Sequence, residues 1–184
     1  MEKLVISILG RDRPGIVAAV SKIFSQSNCN IEDVSQTILQ TEFAGIFIVT
    51  LPEDIQPQDL LGRLEGGLRS LGIDVRVKRL QPGKVEGASR AVEPFVVTSF
   101  GSDRIGLVAG VTEVMAQFGV NITNLKAVFR GGDDPGSNVM IYEVDVPVDI
   151  EQQAFRDALK RRAAELGQEI NIQHREIFEA INRI

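Results

Sequence analysis

The sequence has few of the residue types that catalytic and metal sites usually need. Its 184 residues include one cysteine, Cys29, one histidine, His174, and no tryptophan. A single cysteine excludes an internal disulfide framework and any metal site built from several cysteines. A single histidine leaves little material for a histidine metal site or a catalytic triad. We therefore predict no catalytic residues, no metal and no cofactor, with structural roles for Cys29 and His174; a reactive Cys29 thiol is the alternative.

Long apolar runs and an excess of positive charge are also missing. No apolar run approaches the roughly 18 residues that a membrane span requires, and the first residues lead into a strand-like run rather than a signal peptide. The formal net charge is −5 and the isoelectric point is about 5.0, which disfavours unspecific binding to nucleic acid. We expect a soluble cytoplasmic protein with no membrane partner and no direct contact with nucleic acid.

What the sequence does contain is an internal repeat. Residues 4–39 align without a gap to residues 95–130, and 11 of these 36 positions are identical. The shared skeleton is G-x-D-R-x-G-x-V-A-x-V, followed by N-I. Farther along, residues 52–55 match residues 147–150 at an offset four residues larger, which predicts an insertion near residues 131–136. The pattern predicts two divergent copies of one module of about 80–90 residues, within the usual size range of a domain.

Residues 81–93 separate the two copies. This segment contains one proline, two glycines and alternating charges without an apolar period, a composition typical of a linker. We predict a first domain over 1–80, the linker over 81–93, a second domain over 94–178 and a C-terminal tail over 179–184.

Hydrophobic periodicity predicts the same order of elements in both copies: strand, helix, strand, strand, helix, strand. In the first copy the strands are predicted at 4–9, 31–39, 43–51 and 73–77, with helices from Pro14 onwards and over 60–71, the second stopped by Gly72. In the second copy the predicted elements are 95–100, 105–118, 122–130, 139–146, 151–166 and 169–177, and residues 178–184 are predicted as a short tail helix. This order is the ferredoxin-like βαββαβ unit of the α+β class, with an antiparallel sheet and both helices on one face.

The turn after the first strand of each copy carries the groups that a free amino acid requires. Its sequence is GRDRPG at residues 10–15 and GSDRIG at residues 101–106. A helix start offers free amides and a positive dipole end to a carboxylate, and Gly15 and Gly106 let a ligand approach. The Asp12 and Asp103 carboxylates can accept hydrogen bonds from an ammonium group. Two asparagines before the second strands, Asn30 and Asn121, can both donate and accept.

Each of these residues also has a structural explanation. An aspartate before a helix is often only its N-cap, and a glycine in a tight turn is often a steric necessity. Asn30 and Asn121 would then adopt the left-handed backbone of a turn. Recurrence in both copies does not decide between the two explanations, because two copies of one fold share the same turns.

Both halves resemble the ACT domain family. The string D-R-P-G-I-V at residues 12–17, with N-I at residues 30–31, is similar to the family's pattern, and D-R-I-G-L-V at residues 103–108 with N-I at 121–122 is similar apart from Ile105. Two such modules without a catalytic domain resemble the glycine cleavage system transcriptional repressor group. The resemblance implies that an amino acid binds at an interface between ACT modules. The ligand-binding residues it implies are Asp12, Arg13, Gly15, Ile16, Asn30, Ile31, Asp103, Arg104, Gly106, Leu107, Asn121 and Ile122.

We therefore expect a non-enzymatic regulator that binds a small amino acid, glycine or serine by the resemblance, and acts on a protein partner such as a transcriptional regulator. The two modules are expected to pack within the chain or across a homodimer, and a homodimer is the expected oligomer. The alternatives are a scaffold without a ligand and a regulatory subunit of a metabolic enzyme.

Overall fold

The computed structural model describes residues 2–81, 90–129 and 138–182. The chain divides into two compact units, residues 1–83 and residues 84–184, here called module 1 and module 2. Most of the predicted linker, the predicted insertion at residues 131–136 and the last two residues of the predicted tail lie outside the described residues.

Module 1 contains four strands and two helices. In chain order they are β1 (Glu2–Arg11), α1 (Ile16–Gln26), β2 (Asn30–Leu39), β3 (Glu42–Leu51), α2 (Pro57–Leu68), a 3-10 turn (Arg69–Leu71) and β4 (Asp74–Arg79). Gly72 ends the second helical segment with a φ of 62°, a left-handed conformation that glycine adopts without strain. The prediction that Gly72 stops this helix is confirmed.

Module 2 repeats this order and adds one helix. Its elements are β5 (Val92–Gly101), α3 (Leu107–Gln117), β6 (Asn121–Phe129), β7 (Asn138–Pro147), α4 (Gln152–Glu165), β8 (Gln168–His174) and α5 (Arg175–Asn182). The predicted last strand, 169–177, was too long, because the backbone turns into α5 at Arg175. Helix α5 packs against β5 and β8, and no helix follows β4 among the described residues of module 1.

Each module contains one four-stranded antiparallel sheet. The strand orders are β2-β3-β1-β4 and β6-β7-β5-β8, so the predicted ferredoxin-like α+β fold is confirmed. Both sheets have a register shift in the strand after the first helix, between Ile31 and Asp33 in one and between Ile122 and Asn124 in the other. The repeat therefore preserves even a local irregularity of the sheet.

Each module has its own hydrophobic core between its helices and one face of its sheet. In module 1 alternate residues of β1 point into the core, and Leu60, Leu64 and Leu68 of α2 are fully buried. The core of module 1 contains Leu4, Ile6, Ile8, Val20, Phe24, Leu60, Leu64 and Leu68. The core of module 2 contains Val97, Val111, Met115, Tyr142, Val144, Phe155 and Leu159. The other face of the module 1 sheet stays open to solvent, with Leu9 exposed by 52% and Ile46 by 51%.

Candidate functional site

The candidate site is built around two equivalent turns, turn 1 (residues 12–15) between β1 and α1 and turn 2 (residues 102–106) between β5 and α3. Gly15 and Gly106 close these turns with φ angles of 98° and 93°, and neither has a side-chain cap on its helix. Helices therefore begin two residues later than predicted, after a left-handed glycine. Because Asp12 and Asp103 lie before this glycine and cap neither helix, the explanation of both aspartates as N-caps is wrong.

The helix starts leave backbone amides available to a ligand. The first hydrogen bonds of the two helices run from Ala19 N to the Gly15 carbonyl and from Gly110 N to the Gly106 carbonyl, both 2.9 Å. The amides of residues 16–18 and 107–109 precede these bonds and have no partner within their helices. No atom lies within 4 Å of where a Cβ of Gly15 or Gly106 would stand. Each turn thus leaves the free amides and the positive end of the helix dipole accessible to a ligand.

The aspartates of the two turns differ in their surroundings. Asp12 is exposed; its amide donates to the Thr41 carbonyl at 2.7 Å, and its carboxylate has no partner among the described residues. The Asp103 carboxylate accepts a hydrogen bond from Asn138 Nδ2 at 3.2 Å. Each carboxylate places a negative charge next to a helix start that favours anions. A free amino acid carries the matching pair of groups, an ammonium group for the aspartate and a carboxylate for the helix start.

Four of the predicted residues contribute to packing or to the turns themselves. The Ile16 and Leu107 side chains are buried, 2% and 4% exposed, so only their backbone can meet a ligand. Arg13 donates from Nη2 to the Leu71 carbonyl at 2.7 Å, which connects turn 1 to the end of the 3-10 turn that follows α2. Arg104 of turn 2 lies in the equivalent place beside the end of α4. Its Nη2 is 3.8 Å from the point where a Cβ of Gly167 would stand.

The asparagines begin strands and do not form the preceding turns. Asn30 and Asn121 are the first residues of β2 and β6. The left-handed residues of these turns are Asn28, with a φ of 51°, and Gly119, with a φ of 68°. The explanation of Asn30 and Asn121 as left-handed turn residues is therefore wrong. Both are exposed, while Ile31 and Ile122 are half-buried against their cores.

Within one module the turn and the asparagine lie at opposite ends of the sheet. Asn30 pairs with Thr50, and Thr50 with Lys3 near the start of β1, whereas turn 1 follows the end of β1. The seven steps along the strand from Lys3 to Gly10 span about 23 Å at ~3.3 Å per residue. In module 2 the same register pairs Asn121 with Asp145 and Asp145 with Pro94. A single module therefore cannot bring its asparagine and its turn to one ligand.

The asparagine end of module 2 carries charged residues that the sequence analysis did not select. Arg175 lies 3.9 Å from Glu143 and 4.0 Å from Asp145, the residue paired with Asn121. It also donates to Thr123 Oγ1 at 3.4 Å. These contacts hold the start of α5 on the sheet. No equivalent helix follows β4 in the part of module 1 that the structure describes, so the repeat gave no signal for them.

Two buried amide side chains at turn 2 were not predicted from the sequence. Asn138 and Gln168 are 4% and 5% exposed. Gln168 Nε2 donates to the Ser102 carbonyl at 2.9 Å, and Asn138 contacts Asp103 as described. In this part of the repeat, equivalent positions of the two copies are 95 residues apart, so Asn138 and Gln168 correspond to Phe43 and Ile73. The change from an apolar residue in one copy to a polar residue in the other was the signal available in the sequence.

Cys29 and His174 are both engaged in packing. Cys29 is 7% exposed, and burial raises the pKa of its thiol, an effect that the charge of Arg63 only partly offsets. A raised pKa disfavours the reactive thiolate. The His174 ring meets the Phe95 ring edge-on at 5.4 Å between centroids. Among the described residues, no three histidine, cysteine or acidic side chains are grouped so as to hold a metal ion.

Comparison with known proteins identifies relatives of single modules. The family model of the ACT domain matches residues 2–78 and 93–173. The UPF0237 protein of Methanopyrus kandleri is 42% identical over 79 residues, which cover 42% of this chain and 88% of that protein. The UPF0237 protein of Methanocaldococcus jannaschii is 39% identical over 79 residues, with the same two coverages of 42% and 88%. These relatives therefore have about the length of one module.

Two solved structures match nearly the whole chain. An unknown protein from Galdieria sulphuraria superposes with a TM-score of 0.74 at 25% identity, covering 94% of this chain and 98% of that one. A protein proposed to be a glycine cleavage system transcriptional repressor has a TM-score of 0.63 at 21% identity, with coverages of 94% and 98%. The second likeness is one of fold. In the part of this chain that the structure describes, no helix is long and apolar enough to cross a membrane.

Proposed function

This chain belongs to the ACT domain family, with one module in each half, and we propose that it is a non-enzymatic regulator that binds glycine or serine. ACT domains bind small amino acids, and tandem ACT proteins are regulatory. The observation that carries the proposal is the repeated turn, in which an exposed aspartate stands before a helix start with free amides. The amides suit the ligand's carboxylate, and the aspartate suits its ammonium group.

The ligand contacts are completed by a second copy of the chain. Asn30 and Asn121 lie about a strand length from the turns of their own modules, so they serve a ligand only when another module supplies the turn. Two modules related by a two-fold axis perpendicular to their strands place the asparagine end of one beside the turn end of the other. The apolar Leu9 and Ile46 on the open sheet face of module 1 favour burial against a partner.

Regulation requires that the ligand binds two states of the protein unequally. In this proposal the amino acid stabilises one arrangement of the dimer, and that arrangement has a different affinity for a protein partner. The partner proposed is a transcriptional regulator of glycine or serine metabolism. The absence of a catalytic role is supported by the positions of Cys29 and His174, whose side chains are held in packing contacts.

A thermal-shift screen of the full chain against the twenty amino acids tests the proposal. We expect a rise in Tm with glycine or serine, because a ligand at 100 times its Kd adds about 2.7 kcal/mol to the stability of the folded state. Removing both turn carboxylates, in Asp12→Asn with Asp103→Asn, is expected to abolish the rise. Sedimentation of the free and liganded protein is expected to show a dimer.

The matched control is Asp54→Asn, which removes one carboxylate from an exposed position outside the turns. It is expected to leave the rise in Tm unchanged. If no amino acid raises the Tm of the wild-type protein, the proposed regulator that binds an amino acid is wrong, and the scaffold without a ligand becomes the better explanation.

A further inference from the structure

Turn 2 carries two unpartnered buried oxygens. Asn138 Oδ1 and Gln168 Oε1 are shielded from solvent and have no hydrogen-bond partner among the described residues. Buried carbonyl oxygens without a donor are costly, so native proteins usually pair them with a protein group, a water or a ligand. Both amides are attached to the same short turn, through Asp103 and the Ser102 carbonyl.

The orientation of the two amides follows from their partners. A carboxylate and a backbone carbonyl only accept hydrogen bonds, so Asn138 must present Nδ2 to Asp103 and Gln168 must present Nε2 to Ser102. Turning either amide over would place two acceptors together. The unpartnered oxygens are therefore fixed by the chemistry of the turn, and each is bonded to the same carbon as the nitrogen that holds the turn.

Module 1 has no such oxygens at the equivalent place. Gly10 pairs with Phe43 in module 1, and Gly101 pairs with Asn138 in module 2. Phe43 and Ile73 are core residues, 3% and 8% exposed. A Cβ on Gly10 would meet the Ile73 side chain, and a Cβ on Gly101 would meet the Gln168 amide. The same two positions are thus apolar in one module and polar, with free acceptors, in the other.

We infer that turn 2 is the site that binds the amino acid, and that Asp103 and the amide oxygens of Asn138 and Gln168 receive the ligand's ammonium group. An ammonium group has three N–H donors and a positive charge, which matches two neutral acceptors and one carboxylate. The amides at residues 107–109 begin α3 directly after turn 2 and are available to the ligand's carboxylate. This inference rests on the proposed function and assigns it to one module.

The attachment of turn 2 explains how a ligand would be sensed. Turn 1 is held by Asp12 N on the Thr41 carbonyl and by Arg13 on the Leu71 carbonyl. Among the described residues, the side-chain hydrogen bonds that hold turn 2 come from Asn138 and Gln168. Since their oxygens are closed to solvent and residues 102–106 are exposed, the turn must move for an ammonium group to reach them. Binding would therefore change the position of turn 2.

Calorimetric titration of the full chain with glycine and serine tests the inference. The variants Gln168→Met and Asn138→Leu keep the shape of the side chain and replace the whole amide, both its oxygen and the nitrogen that holds the turn. Asp103→Asn removes the charge and leaves both amides in place. Each is expected to weaken binding at least tenfold. The control is Asp54→Asn, an exposed carboxylate outside the turns, which is expected to keep the wild-type affinity. The equivalent variant in module 1, Asp12→Asn, is expected to weaken binding less than Asp103→Asn. Methylammonium is expected to compete with the amino acid for this site, and acetate is expected to compete less.

The outcomes separate this inference from the proposed function. Wild-type affinity in Gln168→Met and Asp103→Asn would show that the ligand does not use these groups and would overturn the inference, while binding itself would leave the proposed function standing. Loss of affinity in Asp12→Asn alone would assign the site to module 1 and also overturn it. No binding of either amino acid to the wild-type protein would overturn both. If Asn138→Leu does not fold, the exposed Asp103→Asn decides.

Discussion

At the scale of single residues, the turn glycines are required by their backbone conformation. Gly15 and Gly106 have φ angles of 98° and 93°, and a Cβ at either position would meet nothing within 4 Å. Space therefore does not select glycine here. The left-handed backbone does, because a Cβ in that region clashes with the residue's own carbonyl oxygen.

Gly15→Ala and Gly106→Ala are expected to destabilise their modules by about 1–2 kcal/mol each, the cost of a left-handed alanine. Chemical denaturation of the two variants measures this loss. The control is Gly62→Ala in the interior of α2, where a Cβ also meets nothing within 4 Å. It is expected to stabilise the protein by roughly 0.5–1 kcal/mol, since alanine is the better helix former. Stabilisation by Gly15→Ala would contradict the assigned conformation.

At the scale of elements, an ion pair ties the edge strand β2 to the centre of the sheet. Glu32 lies at the register shift of β2 and accepts hydrogen bonds from Lys3 of β1, at 2.5 Å, and from Thr50 of β3. These two bonds, Lys3 first, lower the pKa of the Glu32 carboxyl. The Glu32 carboxylate thus connects strands β1, β2 and β3 on the sheet face that points away from the core.

The lowered pKa of Glu32 predicts a dependence of stability on pH. Because the carboxyl has a lower pKa folded than unfolded, its contribution is present above the unfolded pKa, about 4.3, and is lost as the pH falls through the folded pKa. Glu32→Gln is expected to make the loss of stability shallower between about pH 5 and pH 3. Denaturation at several pH values measures this, and the difference should shrink in high salt, since the pair is exposed.

Glu53→Gln serves as the control for this pH dependence, because Glu53 is exposed and forms no ion pair among the residues described. Its acid-induced loss of stability should follow the wild-type curve. An identical curve for Glu32→Gln would mean that the tie between the strands adds nothing to stability.

At the scale of the whole molecule, the two modules have separate cores. Leu64 of α2 and Leu159 of α4 occupy equivalent positions at the offset of 95, and both are 0% exposed. Each belongs to the core of its own module.

Leu64→Ala and Leu159→Ala are expected to cost about 2–5 kcal/mol each through lost burial and a cavity. Hydrogen exchange of the full chain measures the effect in each module, and protection should fall first in the module that carries the substitution. Equal losses of protection in both modules from either variant would show instead that the chain unfolds as one unit.

The repeat and the apolar periods in the sequence determined the order of the elements and the fold. The strand at residues 4–9 was predicted from its run of isoleucine, valine and leucine, and the helix over residues 60–71 from its apolar period, because burial leaves a local trace in the chain. Element ends were less accurate. The helix start moved from Pro14 to Ile16, and β8 ended at His174, because these ends depend on a left-handed glycine and on the contacts of Arg175 with another strand.

The candidate site divides in the same way. The sequence by itself determined the two turns, with Asp12 and Asp103 before their glycines, since all their residues are adjacent in the chain. Only the tertiary structure placed Asn30 and Asn121 at the far end of the sheet, because strand register is set by pairing across the chain. It alone brought Asn138 and Gln168 to turn 2 from 35 and 66 residues away. Contacts between distant residues leave no local pattern, so the unpartnered oxygens that distinguish the two modules became visible only after folding.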